Sequence, residues 1–446
     1  MTRMDSKPQS RTSPTVSRQV ERNRMKAVMN NSILYLHPTR VPASALAFTY
    51  TWGLGGLSAL LVMILGSTGI LLMFRYDASI ERAYTSIQYL ETQVMFGSML
   101  RSAHHWSGNL LVITVFLHML RVFLTGSYKK GRTTNWIVGI LLLLMVIGFN
   151  FTGYLLPWDQ LAYWAVTVAT SLLGYVPVLG RMISNFLLGG PEVGQATLRN
   201  FYAIHVSVLP AVLLFLMAYH FWRIRKDGDI SQPERVDKTP KLTTIPYLVQ
   251  MELAAAVILV AVVCFWAMAV PAPLEALANP AHPPNPAKAA WYFLGLQELL
   301  LHMHPLAALM LPTFILLALA SIPFWDNQSD SDIGLYFRSE VGKQVAGLAV
   351  LLGLLLPPIL VLLDEFWIDL PAWLPMLSTI ISNGIIPVLF TLGGLALIYV
   401  VFRRRYKANR SEATLGLFLF LFISLVVLTF TGIYFRGPNM ALIWPF

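Results

Sequence analysis

The chain has 446 residues, of which 56% are hydrophobic and only 12% charged. A soluble domain carries roughly 25% charged residues, so these proportions exclude a soluble fold, and length does not count domains. The net charge of +10 does not point to nucleic acid, because the basic residues gather in short clusters between apolar runs. These clusters are Arg3 to Lys26, Lys129 with Lys130 and Arg132, Arg223 with Arg225 and Lys226, and Arg403 to Arg410. This is the pattern of juxtamembrane loops on the cytoplasmic side.

The first 30 residues are polar and basic with no apolar core, so no cleavable signal is expected. A cytoplasmic extension is expected instead, amphipathic from about Gln19 to Tyr35. Nine spans follow, at 46–75, 103–126, 134–156, 202–224, 247–270, 306–324, 341–363, 380–402 and 413–435. Each provides about the 20 apolar residues that cross a bilayer core. With a cytoplasmic N-terminus, all four basic clusters fall inside, and Asp364, Glu365 and Asp369 fall outside.

The expected fold is therefore all-α and polytopic. It divides into a basic segment at 1–45, a four-helix domain at 46–226, a linker at 227–246 and a C-terminal transmembrane domain at 247–446. Two outer connections, 157–201 and 271–305, are too long for simple turns, and long ordered loops are often functional. The single cysteine, Cys264, excludes an internal disulfide, a Cys-x-x-Cys-His haem attachment and an iron–sulfur cluster held by this chain alone.

The second span carries His104 and His118, fourteen residues apart. At about 100° per residue the two rings lie within about 40° of one face and about 21 Å apart. The fourth span carries His205 and His220, fifteen apart, with Pro210 between them. Antiparallel packing would set His104 level with His205, and His118 level with His220. Each pair could ligate one iron axially, giving two six-coordinate b-type haems for electron transfer.

Isolated membrane histidines also serve helix-to-helix hydrogen bonds, but four paired in depth fit haem ligation better. Arg101 and Arg121 each lie one turn toward a surface, placed to pair with a haem propionate. Gly55 and Gly69 repeat the fourteen-residue spacing, as do Gly139 and Gly153, leaving room for a flat macrocycle at two depths. His105 faces about 100° from His104 and is read as a surface or loop-contacting residue.

Three stretches carry a resemblance. They are Arg101-Ser102-Ala103-His104-His105-Trp106-Ser107, Thr152-Gly153-Tyr154-Leu155-Leu156-Pro157-Trp158-Asp159-Gln160 and Val193-Gly194-Gln195-Ala196-Thr197-Leu198-Arg199-Asn200-Phe201-Tyr202. Together they resemble cytochrome b of bc-type and photosynthetic bf-type quinol oxidoreductases, well over residues 33–325 and loosely beyond. The fifteen-residue histidine spacing is similar to the bf type, although the front and back halves, separate chains there, are joined in this one.

The resemblance implies quinol oxidation at an outer pocket, quinone reduction at an inner one, and outward proton movement in a bacterial inner membrane. Its implied partners are a Rieske-type iron–sulfur subunit, a cytochrome c, the quinone pool and a second copy in a dimeric complex, with menaquinol the preferred substrate. Gly53 stands where the bf type has the cysteine for an extra haem, so a covalent third haem is not expected.

The family's outer Pro-Glu-Trp-Tyr motif reads Ala289-Ala290-Trp291-Tyr292, without its carboxylate. Quinol oxidation releases protons, so a positioned acceptor is useful. Glu298, two turns beyond Trp291, is the expected substitute, with Asp159, His302 and His304 as further candidates. Trp291 and Tyr292, with Trp158 opposite, are expected to wall the pocket, and Lys226 to receive protons at the inner site. Competing readings are a dihaem anchor that passes electrons without bifurcating them, and a haem-free transporter.

Overall fold

The computed structural model describes residues 40–43, 47–129, 131–227, 241–326 and 333–444. The basic N-terminal segment, Lys130 and most of the 227–246 linker lie outside these residues. Among the described residues, nine helices are long and apolar enough to cross a membrane. In chain order they are Leu54–Met73, Gly97–Leu124, Thr133–Leu155, Gln195–Lys226, Tyr247–Ala269, Pro305–Trp325, Glu340–Phe366, Ile381–Arg405 and Arg410–Tyr434. Each corresponds to an expected span. Besides helices, the described residues include a two-stranded antiparallel ribbon of Arg40–Pro42 and Lys241–Thr243, with Val41 opposite Leu242.

Local chemistry explains where the helices stop and bend. The first span was expected from residue 46, but Trp52 and Gly53 are both left-handed, at φ 54° and 60°. They separate a short helix, Phe48–Thr51, from the span itself. The fourth span changes character at Ile204–Val208, a π-helical turn just before Pro210. The eighth does the same at Ile381–Ile385, before Pro387. Proline has no N–H for the ordinary i→i−4 bond, so a widened turn in front of it is a natural adjustment. The ninth span begins with a reciprocal capping box between Asn409 and Glu412.

One face of the bundle carries Arg132, Arg223 and Arg403 to Arg405; the other carries Asp159, Glu275, Asp364 and Glu365. We call them the basic and acidic faces. The first span packs along the second, the third along the fourth, and the seventh along the ninth. On the basic side a buried core joins the halves: Phe123 and Trp136 of the front meet Val345, Phe402 and Phe418 of the back. The two long connections on the acidic face are more ordered than simple loops. Residues 157–194 form helices Gln160–Leu173 and Gly180–Leu188, and the second connection contains the helix Trp291–His302.

Lys129 is not a surface cation, as its place in a basic cluster suggested. Its side chain is 1% exposed, with Nζ 3.7 Å from Asp326 Oδ1 and 2.8 Å from Ser411 Oγ. Arg338 Nη1 reaches the same carboxylate at 3.3 Å, while its Nη2 donates to the Tyr128 hydroxyl at 2.8 Å. This buried cluster ties the turn after the second span to the end of the sixth and the starts of the seventh and ninth. A buried charge is tolerated only with such pairing.

Candidate functional site

Four imidazoles meet in two pairs between the second and fourth spans. His104 and His205 have ring centroids 6.4 Å apart, and His118 and His220 6.5 Å apart. Two metal–imidazole bonds of about 2.0–2.1 Å and two nitrogen-to-centroid lengths of about 1.1 Å place centroids roughly 6.3 Å apart. Both pairs therefore fit an iron held from both sides.

The glycines face the histidines one to one. A Cβ on Gly69 would lie 3.2 Å from His104 Cε1, and one on Gly55 3.3 Å from His118 Cε1. On the partner side, the distances are 2.7 Å from Gly153 to His205 Cε1 and 3.7 Å from Gly139 to His220 Cε1. The space these glycines leave was expected to take the macrocycle edge. In the structure each glycine also lets an imidazole approach the backbone, with Cε1 the nearest ring atom.

At the acidic-face pair, two threonines orient the rings. Thr68 Oγ1 donates to the Ile64 carbonyl at 2.7 Å and lies 2.9 Å from His104 Nδ1. Thr152 Oγ1 donates to Gly148 at 2.8 Å and lies 3.1 Å from His205 Nδ1. A hydroxyl whose hydrogen is already given away accepts from Nδ1–H. That fixes the tautomer and leaves the Nε2 lone pair free for a metal. These threonines were missed from sequence, although a signal was there: both precede a histidine-facing glycine, as Thr68-Gly69 and Thr152-Gly153.

The two arginines differ. Arg101 is engaged by Glu91 and by the Ala272 and Pro273 carbonyls, at 3.0 and 2.6 Å. It thus holds the second connection against the second span. Arg121 donates to the Tyr50 carbonyl through Nε at 3.2 Å, while its buried Nη2 has no hydrogen-bond partner. A buried guanidinium nitrogen left unmatched is costly, and it suits a propionate at the basic-face pair.

A cavity of about 1100 Å³ opens beside the acidic-face pair, lined by His104 and His205 and also by Asp159, Glu275, Trp291 and Tyr292. Drug-sized ligands occupy about 300–1,000 Å³, so this space exceeds the needs of one such molecule. Both connections build its roof: Gln160 N donates to the Ala276 carbonyl at 2.8 Å and Ala278 N to Trp158 O at 3.2 Å. Trp291 is pinned by its indole N–H donating to Asn109 Oδ1 at 2.5 Å. His105, read as a surface residue, lines this cavity, its ring 4.9 Å from that of Trp106.

Asp159 lies on the cavity wall and caps the helix Gln160–Leu173, accepting from Ala162 N at 2.9 Å and Glu275 N at 3.2 Å. Burial pushes its carboxyl above the ordinary range, despite those two hydrogen bonds. Burial likewise pushes the Tyr292 phenol far up, keeping it a neutral hydroxyl.

Other expected pocket residues lie elsewhere. Trp158 is buried beneath the loops, edge-on to Tyr163 at 5.7 Å, and is not on the cavity wall. Glu298 is fully buried but turned away, in a two-point ion pair with Arg436 at 3.0 Å. His302 joins that cluster directly, its Nε2 3.2 Å from Arg436 Nη2, while its Nδ1 lies 2.6 Å from Asp364 Oδ2. His304 caps the sixth span. On the basic face Lys226 is exposed, with its ammonium 4.8 Å over the Trp222 ring.

A profile of the family described as Cytochrome b/b6/petB matches residues 40–228. The menaquinol:cytochrome c reductase cytochrome b subunit of Geobacillus thermodenitrificans is 46% identical over 188 residues, 42% of this chain and 83% of that protein. Cytochrome b6 of Synechococcus sp. (strain CC9902) is 43% identical over 180 residues, covering 40% of this chain and 82% of that one. Among solved structures, a hyperthermophilic respiratory Complex III chain aligns with a TM-score of 0.65 at 22% identity. The alignment covers 94% of this chain and 98% of that one, and shows a shared fold.

Proposed function

The chain belongs to the cytochrome b/b6 family, and from that premise we propose that it is the cytochrome b subunit of a menaquinol:cytochrome c oxidoreductase. The observation that carries this reading is the pair of imidazole pairs at bis-axial spacing, each ring backed by a glycine. Haem held at both pairs would supply one-electron carriers at two depths, and its chemistry there would be electron transfer. His104 and His205 hold the group near the acidic face, His118 and His220 the one near the basic face. Thr68 and Thr152 orient the first pair, and the unmatched Arg121 Nη2 would hold a propionate at the second.

The acidic-face cavity takes the quinol. Trp291 and Tyr292 wall it, and the raised Asp159 carboxyl receives a proton in place of the glutamate absent from Ala289-Ala290-Trp291-Tyr292. A carboxyl poised nearer neutrality is the better general base. The basic clusters orient the basic face to the cytoplasm, so protons from the acidic-face cavity are released outside a bacterial inner membrane. A Rieske-type iron–sulfur subunit takes one electron and passes it to cytochrome c, in a dimeric complex. Lys226 lies on the side where quinone would be reduced.

The test is a reduced-minus-oxidised spectrum of the purified complex with pyridine haemochrome quantification, followed by quinol:cytochrome c assays. Two b-type haems per chain and quinol-dependent reduction are expected. Folded, haem-supplied protein that stays colourless would overturn the assignment. The missing motif carboxylate favours one second reading, a dihaem anchor without bifurcation. It predicts quinol-linked haem reduction that is insensitive to inhibitors of the acidic-face pocket.

A further inference from the structure

We propose that Arg436, in the segment after the ninth span, is a positioning residue for the quinol cavity. By clamping Glu298 it fixes the helix Trp291–His302, whose first turn presents Trp291 and Tyr292. The proposal rests on the quinol reading above. It assigns a role to a part of the chain that lies beyond the family match at 40–228.

The helix has two working faces. Its first turn reaches the cavity, while Leu294, Gly295 and Glu298 are buried and meet the ninth span. The fit there is reciprocal. A Cβ on Gly295 would come within 2.8 Å of both Leu425 Cδ1 and Thr429 Oγ1. A Cβ on Gly432 would lie 2.9 Å from Leu294 Cβ. Each helix thus presents a glycine to the other, and the spacing permits no slack.

The electrostatics secure both ends of this contact. Arg436 Nε and Nη2 lie 3.0 Å from the two Glu298 oxygens, and Nη1 lies 2.8 Å from Glu365 Oε2 at the end of the seventh span. Nη1 also donates to the Met440 carbonyl at 3.0 Å. At the other end, Lys288 Nζ donates to the Ile433 carbonyl at 2.8 Å, and Gln297 holds Ala289 N and the Ala287 carbonyl. The cavity wall is therefore tied to the end of the ninth span both ahead of its helix and within it, and burial makes the Arg436–Glu298 contact geometrically demanding. Glu298 is an anchor for this helix, occupied on both oxygens.

The experiment compares the assembled complex with its Arg436→Met, Glu298→Gln and double variants, using a water-soluble naphthoquinol. The single variants are expected to raise the quinol KM several-fold and weaken pocket inhibitors. Haem content and spectra should not change, because the ligands stand on other helices. Arg436→Lys should recover only part of the loss, since an ammonium keeps the charge but not the two-point contact, and the double variant should be no worse than Arg436→Met.

An unchanged KM and inhibitor affinity in haem-replete Arg436→Met would overturn the proposal. So would a fall in kcat at constant KM with a shifted pH profile in Glu298→Gln, which would make Glu298 a proton carrier. If Arg436→Met does not assemble, Lys288→Met applies the same reading at the opposite end of the helix. A wild-type complex with both haems but no quinol oxidation would instead refute the underlying function, whatever the variants do.

Discussion

The front and back halves differ in what their buried polar groups chiefly meet. The front leaves them available: two imidazole pairs face each other across a gap, and Arg121 Nη2 is buried without a partner. In the back half the buried charges are chiefly paired with one another, although Asp326 Oδ1 and Arg338 Nε carry no hydrogen bond. Arg436 is shared by Glu298 and Glu365, and Asp326 by Arg338 and the incoming Lys129. Unmatched buried polar groups are costly, so imidazole pairs at metal-ligand spacing beside an unmatched guanidinium nitrogen suit a ligand. A region that pairs its charges is built as a scaffold. The difference separates the electron path from the frame that holds it.

Removing a ligand from the front should have the largest effect. His118→Ala is expected to halve the pyridine haemochrome yield, leaving the His104–His205 haem, and the reduced spectrum would show which is lost. A full haem complement in that variant would break the comparison at its root. Removing a charge from the back should destabilise without touching haem stoichiometry. Asp326→Asn leaves Lys129 and Arg338 buried without their carboxylate, and breaking such a pair costs about 3–5 kcal/mol. Thermal unfolding of the detergent-solubilised complex would read this as a clear fall in midpoint.

A finer test lies in the glycines. Gly153→Ala puts a methyl 2.7 Å from His205 Cε1, whereas Gly139→Ala puts one 3.7 Å from His220 Cε1. The first should lower occupancy or shift the potential of the acidic-face haem. The second should be nearly silent in a redox titration.

The smallest effect concerns pH. Burial favours the neutral His302 ring, but hydrogen bonds to Asp364 and Glu298 outweigh it and raise its pKa from 6.5 to about 9. A group raised on folding stabilises fully below its ordinary pKa and loses that contribution as pH rises through the folded value. A modest drop in unfolding midpoint between about pH 7 and 10 is expected, and it should be absent in His302→Gln.

Much of this architecture was legible because a bilayer imposes simple rules. Apolar length marks a span, basic clusters mark a side, and a fourteen-residue interval marks two depths on one helix face. Contacts between distant segments were not legible. Glu298 has the spacing of a pocket carboxylate, yet its partner is Arg436, 138 residues away. Trp158 belongs to a motif beside the pocket, but its ring is buried under the loops. Periodicity gives a side chain's direction from its own helix and says nothing of what waits there.

The two histidine helices show where sequence ends and tertiary structure begins. Sequence alone determined nine spans, the pairing of four histidines in depth, and four glycines at matching intervals, because each follows from helical geometry along one segment. Fifteen residues between His205 and His220 would overshoot the fourteen-residue partner by about one residue's rotation. The folded chain contains a π-helical turn around His205, ahead of Pro210, and one extra residue in such a turn accounts for that excess. Tertiary structure also decided which carboxylate faces the cavity and which one anchors its wall. Both depend on close packing of segments far apart in the chain, where a few tenths of an ångström between backbone and ring decide the outcome.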